Sequence, residues 1–503
     1  MLFRDCGGNY CGLVVIAVVL GVVGAILNFK IAVGSETYDV VILNGRVMDP
    51  ESGLDAVRHL GIRGGKIRAV TPEQITGKLS IDAKGLVVAP GFIDLHEHGQ
   101  EARNYEFQAH DGVTTSLELE LGTNDVDKWY AKREGNSLIN FGVSIGHLPT
   151  RLRVLTGLNE DLSLNAQNHP EVDAANHREA TSDEIVQLAE EVDKGFRRGA
   201  LAEGMGLQYT PGASHWEIVE IFRVAAKYNA PVHVHLRYAG LKEPETGVHG
   251  IEEVIAAGAA TGAPVHVVHI TSMGLKNTPQ LIAMVAGAQK QGLDVTTECY
   301  PYTASSTSLE SAVFDEGWQA RYGITYKDLQ WSDTGERLSA ETFGKYRKQG
   351  GIVVIHEIPA EAARAAISNP MVMVASDGMP ITGAKIHPRG QGTFSRVLGH
   401  YVREEQALDL MTALRKMTLL PARRLEKRAP MFKDKGRIRV GADADVTVFD
   451  PNRVLDKATY ENPLQYSEGI QFVLVNGVPV VKDGKLVDRV FPGQAARAPV
   501  SRE

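Results

Sequence analysis

The chain has 503 residues, 43% of them hydrophobic and 23% charged, with a formal net charge of −8. That composition excludes a disordered or fibrous protein, and the mild acidity excludes an extended nucleic-acid face, which needs an excess of Lys and Arg. Of three cysteines, Cys6 and Cys11 lie at the N-terminus, so the body holds only Cys299 and no internal disulfide.

In chain order, the first feature is "CGLVVIAVVLGVVGAIL", residues 11–27, apolar or glycine throughout and at the short end of what spans a bilayer. It predicts an N-terminal hydrophobic helix. The plain reading is a buried core helix; the favoured readings are an uncleaved membrane anchor or a secretory signal with a small-x-small site, Ala32-Val33-Gly34, before Ser35. Arg4 and the α-amino group ahead of the run favour export of the body. The protein is therefore expected to be membrane-anchored or exported, with residues 1–34 outside the fold.

Residues 35–90 read as short strands. "YDVVILNGRVMD" alternates into a turn signal at Asn44-Gly45, and "HLGIRGGKIRAV" turns at Gly64-Gly65. Residues 431–495 repeat the style in "GRIRVGADADVTVFDP" and "IQFVLVNGVPVVKDGK", where Asn476-Gly477 mirrors Asn44-Gly45. Together the two segments predict one small β-sandwich built from both chain ends.

Between them, residues 91–430 alternate helix and strand. The helix over 182–200 opens with a capping-box signature read at Ser182. Helical stretches at 215–230, 250–263, 281–293 and 360–369 are followed by the strands "PVHVHLR", "PVHVVHI", "DVTTECY" and "MVMVASDG". About eight such units fit this length, which predicts a (β/α)8 barrel with its chemistry at the C-terminal strand ends. The other reading is an open doubly wound sheet, but no Gly-x-Gly-x-x-Gly turn follows the first strand.

The polar residues at those strand ends carry the chemistry. "GFIDLHEHGQ" places His96 and His98 on one face of a strand, since side chains i and i+2 point the same way. "GVTTSLELEL" offers Glu118 and Glu120 on one face, "VHVHLR" offers His233, His235 and Arg237, "VHVVHI" offers His266 and His269, and "VMVASDG" ends at Asp377. Any one of these is read most simply as a surface or turn residue. Histidines and carboxylates on successive strands together form a ligand set for a divalent ion such as zinc.

Over residues 39–493 the chain resembles the amidohydrolase superfamily, most closely its N-acyl-D-amino-acid deacylase branch. The motifs "PGFIDLHEH", "HVHLR", "VVHI" and "ASDG" carry the superfamily resemblance. "GHLPTRLRVLTG", "GMGLQYTPG", "YPYTASST", "HPRGQGTFSRVLGHYVRE" and "GADADVTVFDP" carry the branch. The resemblance implies one or two zinc ions held by His96, His98, His235 and His269, with Asp377 catalytic. A strand-2 cysteine that serves such proteins as a ligand is absent here, which makes Glu120 the expected replacement, with Glu118 the alternative. Acidic residues after the His-x-His are also gone, leaving Gly99 and Gln100. By the same resemblance Arg389 and Tyr302 bind a substrate carboxylate and Ser308 contacts substrate, with Arg237 a second candidate or else a structural ion pair. A lysine expected after the strand-6 histidine is replaced by Thr271.

These residues permit hydrolysis of a linear, non-peptide amide, with Asp377 moving the proton. The expected substrate is a small N-acyl (D-)amino acid or a similar carboxylate-bearing amide. Two rivals remain. One is a cyclic-amide hydrolase of the dihydroorotase or hydantoinase kind, which uses a carboxylated lysine on strand 4; neither "GHLPTR" nor "MGLQYTPG" holds a lysine. The other is a non-catalytic scaffold on the same fold.

Overall fold

The computed structural model describes residues 37–158 and 170–501. The hydrophobic helix expected within residues 1–34 lies outside the described residues. Among the described residues no helix is long and apolar enough to cross a membrane. Residues Tyr38–Glu503 form one compact unit.

The chain begins with five strands: β1 (Tyr38–Asp49), β2 (Leu54–Arg63), β3 (Lys66–Thr71), β4 (Gly77–Asp82) and β5 (Val87–Pro90). It ends with four more: β17 (Val446–Phe449), β18 (Ile470–Val475), β19 (Val478–Lys482) and β20 (Lys485–Leu486). Both sets join one nine-stranded sheet in the order β20-β19-β18-β17-β5-β1-β2-β3, with β4 on β1. The seam is the antiparallel pair β5–β17, where Val88 faces Val448. Its core holds Ile42, Val47, Leu60, Ile62, Val446 and Leu474, all fully buried. Each such side chain contributes about 1.5–3 kcal/mol.

Gly64-Gly65 and Asn476-Gly477 have positive φ and close tight hairpins. Asn44-Gly45 does not turn the chain. β1 runs straight through it, with Asn44 at φ 62° and a register shift against β2 between Ile42 and Gly45. The pair makes a β-bulge, which spends the same left-handed residue on a local kink. A Cβ on Gly45 would lie 2.4 Å from Val88 Cγ2, so the neighbouring strand keeps this position small.

Eight parallel strands form the barrel: β6 (Phe92–Asp94), β7 (Val113–Thr123), β8 (Asn140–Gly146), β9 (Glu203–Gly206), β10 (Val232–His235), β11 (Val265–Val267), β12 (Val295–Cys299) and β16 (Val372–Val374). Beyond the ends of β6 and β16 the two chain segments meet: Asp377 N donates to the His96 carbonyl (2.7 Å) and His98 N to the Gly378 carbonyl (2.8 Å). Helices such as Ser182–Arg197 and His215–Lys227 lie outside, burying Leu188, Val192, Phe196, Ile221 and Phe222. The first of these is capped one residue earlier than Ser182. Thr181 accepts from Glu184 N while the Glu184 carboxylate accepts from Thr181 N, a pairing worth about 1 kcal/mol.

Between β12 and β16 the chain makes an excursion that periodicity does not reveal. Strands β13 (Ser305–Ser308), β14 (Leu329–Trp331) and β15 (Ile352–Ile355) form a small antiparallel sheet in the order β13-β15-β14. Residues of this sheet line the same cavity as the barrel-mouth histidines, so it roofs the strand ends.

Candidate active site

Five side chains from four barrel strands, with Asp377 from the loop after β16, converge at the C-terminal mouth. His96 and His98 follow β6, Glu120 lies in β7, His235 ends β10 and His269 follows β11. Each is at most 7% exposed at its side chain. His96 Nε2 and His98 Nε2 face each other at 3.1 Å, and each lies 3.3 Å from Asp377 Oδ1. Glu120 Oε2 is 2.8 Å from His96 Nε2 and 3.0 Å from His98 Nε2. The other oxygen, Oε1, is 2.8 Å from His235 Nδ1 and 3.3 Å from His269 Nε2.

Two donor groups result, His96–His98–Glu120–Asp377 and Glu120–His235–His269, sharing the Glu120 carboxylate. Ligand atoms on a tetrahedral zinc, each about 2.1 Å from the ion, lie roughly 3.4 Å apart. The spacings here fall close to that. Two imidazole nitrogens aimed at one point, beside two carboxylate oxygens, is an arrangement that a cation resolves. The residues therefore fit one or two divalent ions. Glu120, not Glu118, belongs to both donor groups.

Glu118 stands behind His98 instead. Its Oε2 accepts from His98 Nδ1 at 2.6 Å, and its Oε1 accepts from Leu121 N at 3.0 Å. Glu298, at the end of β12, does the same for His96, accepting from Nδ1 at 2.7 Å and, through its other oxygen, from His266 Nε2 at 3.0 Å. Holding Nδ1 in this way turns Nε2 of each histidine towards the donor cluster, the orientation a ligand to a cation needs. His235 is reversed: Nδ1 faces Glu120 and Gln208 Oε1 accepts from Nε2 at 2.8 Å.

The electrostatics match this layout. Burial opposes charge on His96, but the Asp377 and Glu120 carboxylates outweigh it and hold its pKa well above the ordinary imidazole value. His98 is raised likewise, with Glu118 the main opponent of burial. Burial also opposes charge on Asp377, yet Arg389 and His96 keep its carboxyl well below the usual range. Asp377 is thus an ionised acceptor. It sits at φ 52° and His269 at φ 30°, two non-glycine residues in the left-handed region.

Gly99 and Gln100, which stand where acidic residues were expected, are explained by packing. A Cβ on Gly99 would lie 1.9 Å from Asn104 Nδ2, and Gln100 Nε2 donates to Ser116 Oγ and the Glu97 carbonyl.

The substrate-binding expectations divide. Arg389 is 1% exposed and does not line the cavity; its Nη2 lies 2.9 Å from Asp377 Oδ1 and donates to the Ser306 carbonyl at 3.1 Å. Its guanidinium orients the Asp377 carboxylate. Tyr302 is not brought to the cavity. Its ring lies edge-on to His387 and under Arg396. The ring stacked against Arg389 belongs to Tyr300, 4.8 Å away, two residues earlier. Ser308 is buried in β13 away from the cavity, which Ser305, Ser306 and Thr307 line instead. Arg237 lies outside it as well. It pairs with Glu253 at 3.1 Å and donates to the Ala213 carbonyl at 2.9 Å, the structural ion pair.

The cavity over the donors is narrow, about 40 Å³. Beyond the donors it is lined by Gln208, Tyr209, Ser272, Tyr322 and Glu357. Sequence reasoning missed Glu298 although the signal was present, a lone carboxylate at the end of "DVTTEC" in register with the other strand-end donors. No comparable signal marks Gln208 or Glu357, which follow from the loops.

Replacing Glu298 with Gln should weaken zinc binding 10–100-fold, measured by competition with a chromophoric chelator, and Glu298→Asp should recover part of the loss. Wild-type affinity in Glu298→Gln would reject its orienting role.

With this geometry in place, comparisons with known proteins are informative. The sequence pattern of the Amidohydrolase family matches residues 160–481. The chain is 32% identical to an N-acyl-D-glutamate deacylase of Alcaligenes xylosoxydans xylosoxydans, over 93% of this chain and 98% of that one. A crystal structure of N-acyl-D-glutamate deacylase from Bordetella bronchiseptica, complexed with zinc and a phosphonate mimic of the tetrahedral intermediate, superposes with a TM-score of 0.76. The two are 29% identical, with 92% of this chain and 100% of that one covered. A D-aminoacylase structure concerned with a binuclear metal centre, one-metal activation and second-metal attenuation gives 0.75 at 26% identity, covering 91% and 99%.

Proposed function

The chain belongs to the amidohydrolase family, and from that premise we propose that it hydrolyses a linear amide C–N bond, deacylating an N-acyl-D-amino acid. The observation that carries this reading is the convergence of His96, His98, Glu120, His235, His269 and Asp377 on shared donor positions at the barrel mouth. The relatives' zinc and binuclear centre support one or two zinc ions in that place. The cyclic-amide reading loses its support, since β9 and the turn after it hold no lysine and Glu120 joins the two donor groups. A scaffold without activity would have no need to keep all six donors.

Zinc held by these residues supplies an acidified water and a Lewis acid for the substrate carbonyl. Glu120 and the four histidines would hold the ions. Asp377 Oδ1 accepts the proton of the attacking water and returns it to the departing nitrogen. Arg389, 2.9 Å from that oxygen, fixes its aim. Burial of the cluster keeps competing water out, which strengthens each of these interactions.

The apolar run at residues 11–27 supports a further part of the reading, that the enzyme works tethered to a membrane or exported across it. The deciding experiment is a screen of N-acyl-D- and N-acyl-L-amino acids with zinc-loaded protein, following free amine. Turnover of D-substrates is expected; activity confined to cyclic amides, or none at all, would reject the proposal.

A further inference from the structure

Resting on the deacylase reading, the geometry points to Glu357 as the residue that sets the substrate class: an N-acyl amino acid whose side chain carries a cationic hydrogen-bond donor. Glu357 follows β15 in the roof and lines the same cavity as the metal donors. Ser305 Oγ donates to one of its oxygens. The other, Oε2, is shielded from solvent and has no hydrogen-bond partner. The cavity lining mixes apolar Met273, Val313, Ile355 and Met379 with polar Gln208, Tyr209 and Tyr322.

A carboxylate oxygen kept dry and unpartnered is costly, and the cost is relieved by taking up a proton or by a donor brought in from outside. An ammonium or guanidinium is the strongest such donor, because it supplies charge as well as a proton. Burial pushes the Glu357 carboxyl up to about 8, against the pull of the Ser305 hydroxyl and the Arg389 charge. A cation at Oε2 acts in the same direction as those two and restores the ionised form.

The remaining charges in the cavity agree. Among the described residues no Lys or Arg lines it, and Glu120 and Asp377 are committed to the metal donors and Arg389. A substrate with its amide at the donors therefore extends its side chain under the roof to meet one carboxyl and no cation. The acidic side chain named for the N-acyl-D-glutamate deacylases would find no Lys or Arg on the lining to pair with.

The test is kcat/KM of zinc-loaded protein for N-acetyl-D-lysine and N-acetyl-D-arginine against N-acetyl-D-leucine and N-acetyl-D-glutamate. The cationic pair should lead by about tenfold or more, and Glu357→Gln should erase most of that ratio through KM. A wild-type preference for leucine or glutamate overturns the inference, and so does an unchanged ratio in Glu357→Gln. The wild-type ratio decides alone if the variant does not fold. Turnover without cation preference sinks only the role of Glu357, whereas no turnover of any N-acyl amino acid sinks the deacylase reading and this inference with it.

Discussion

Replacing Asp377 with Asn should lower kcat by about 10³-fold while the protein stays folded. The amide keeps the shape of the side chain but accepts a proton far less readily, so the step that carries the proton from water to the leaving nitrogen is lost. The substitution also removes the negative partner of a buried guanidinium. Arg389 is 1% exposed, and its Nε and Nη1 have no hydrogen-bond partner, so Asp377 is its main compensation. Breaking a buried pair costs up to ~3–5 kcal/mol when a charge is left bare, and less here because the Asn carbonyl can still accept from Nη2. A drop of about 1–3 kcal/mol in unfolding free energy is therefore expected alongside the loss of turnover. Retention of wild-type kcat in Asp377→Asn would remove Asp377 from the mechanism.

Replacing Glu120 with Gln is the second large effect, and it separates metal binding from proton transfer. Glu120 is the one side chain common to both donor groups, with an oxygen towards each. Gln offers one neutral oxygen in place of two charged ones. Bound zinc should fall to one equivalent or less by elemental analysis, and kcat/KM by about 10²-fold or more. In the wild type, burial raises the Glu120 pKa, but His96, His235 and His269 outweigh it and hold the carboxyl well below its usual value. Its contribution to metal-free stability is thus present at neutral pH and is lost as pH falls through the acid range. Glu120→Gln should flatten that acid limb. Two equivalents of zinc and full activity in the variant would show that the cysteine's place is filled by another residue.

The two effects rest on features read with different ease from the amino acids. His96 and His98 are legible because a strand repeats every two residues, and Asp377, His235 and His269 because parallel strands deliver their last side chains to one end of a barrel. Period alone could not choose between Glu118 and Glu120, which share a face. The choice depends on where His98 turns its Nδ1, a tertiary fact. Tyr302 and Ser308 lie outside the cavity lining, where Ser305, Ser306 and Thr307 stand, because a stretch such as "YPYTASSTS" does not say which of its alternating side chains face inward. Asn44-Gly45 does not turn the chain, since a left-handed residue serves a bulge as well as a hairpin. The roof was invisible because its strands are three or four residues long and one of them reads "SSTS", with neither apolar alternation nor β-branched enrichment to announce it.

That roof enters the chain between the last two barrel strands, and it carries Glu357 but none of the metal donors. If Glu357 selects the substrate side chain, that part of recognition and the metal donors are encoded in separate stretches. An exchange of residues 301–358 for the equivalent stretch of a relative could re-address the enzyme to another side chain while the ions and the proton carrier stay where they are.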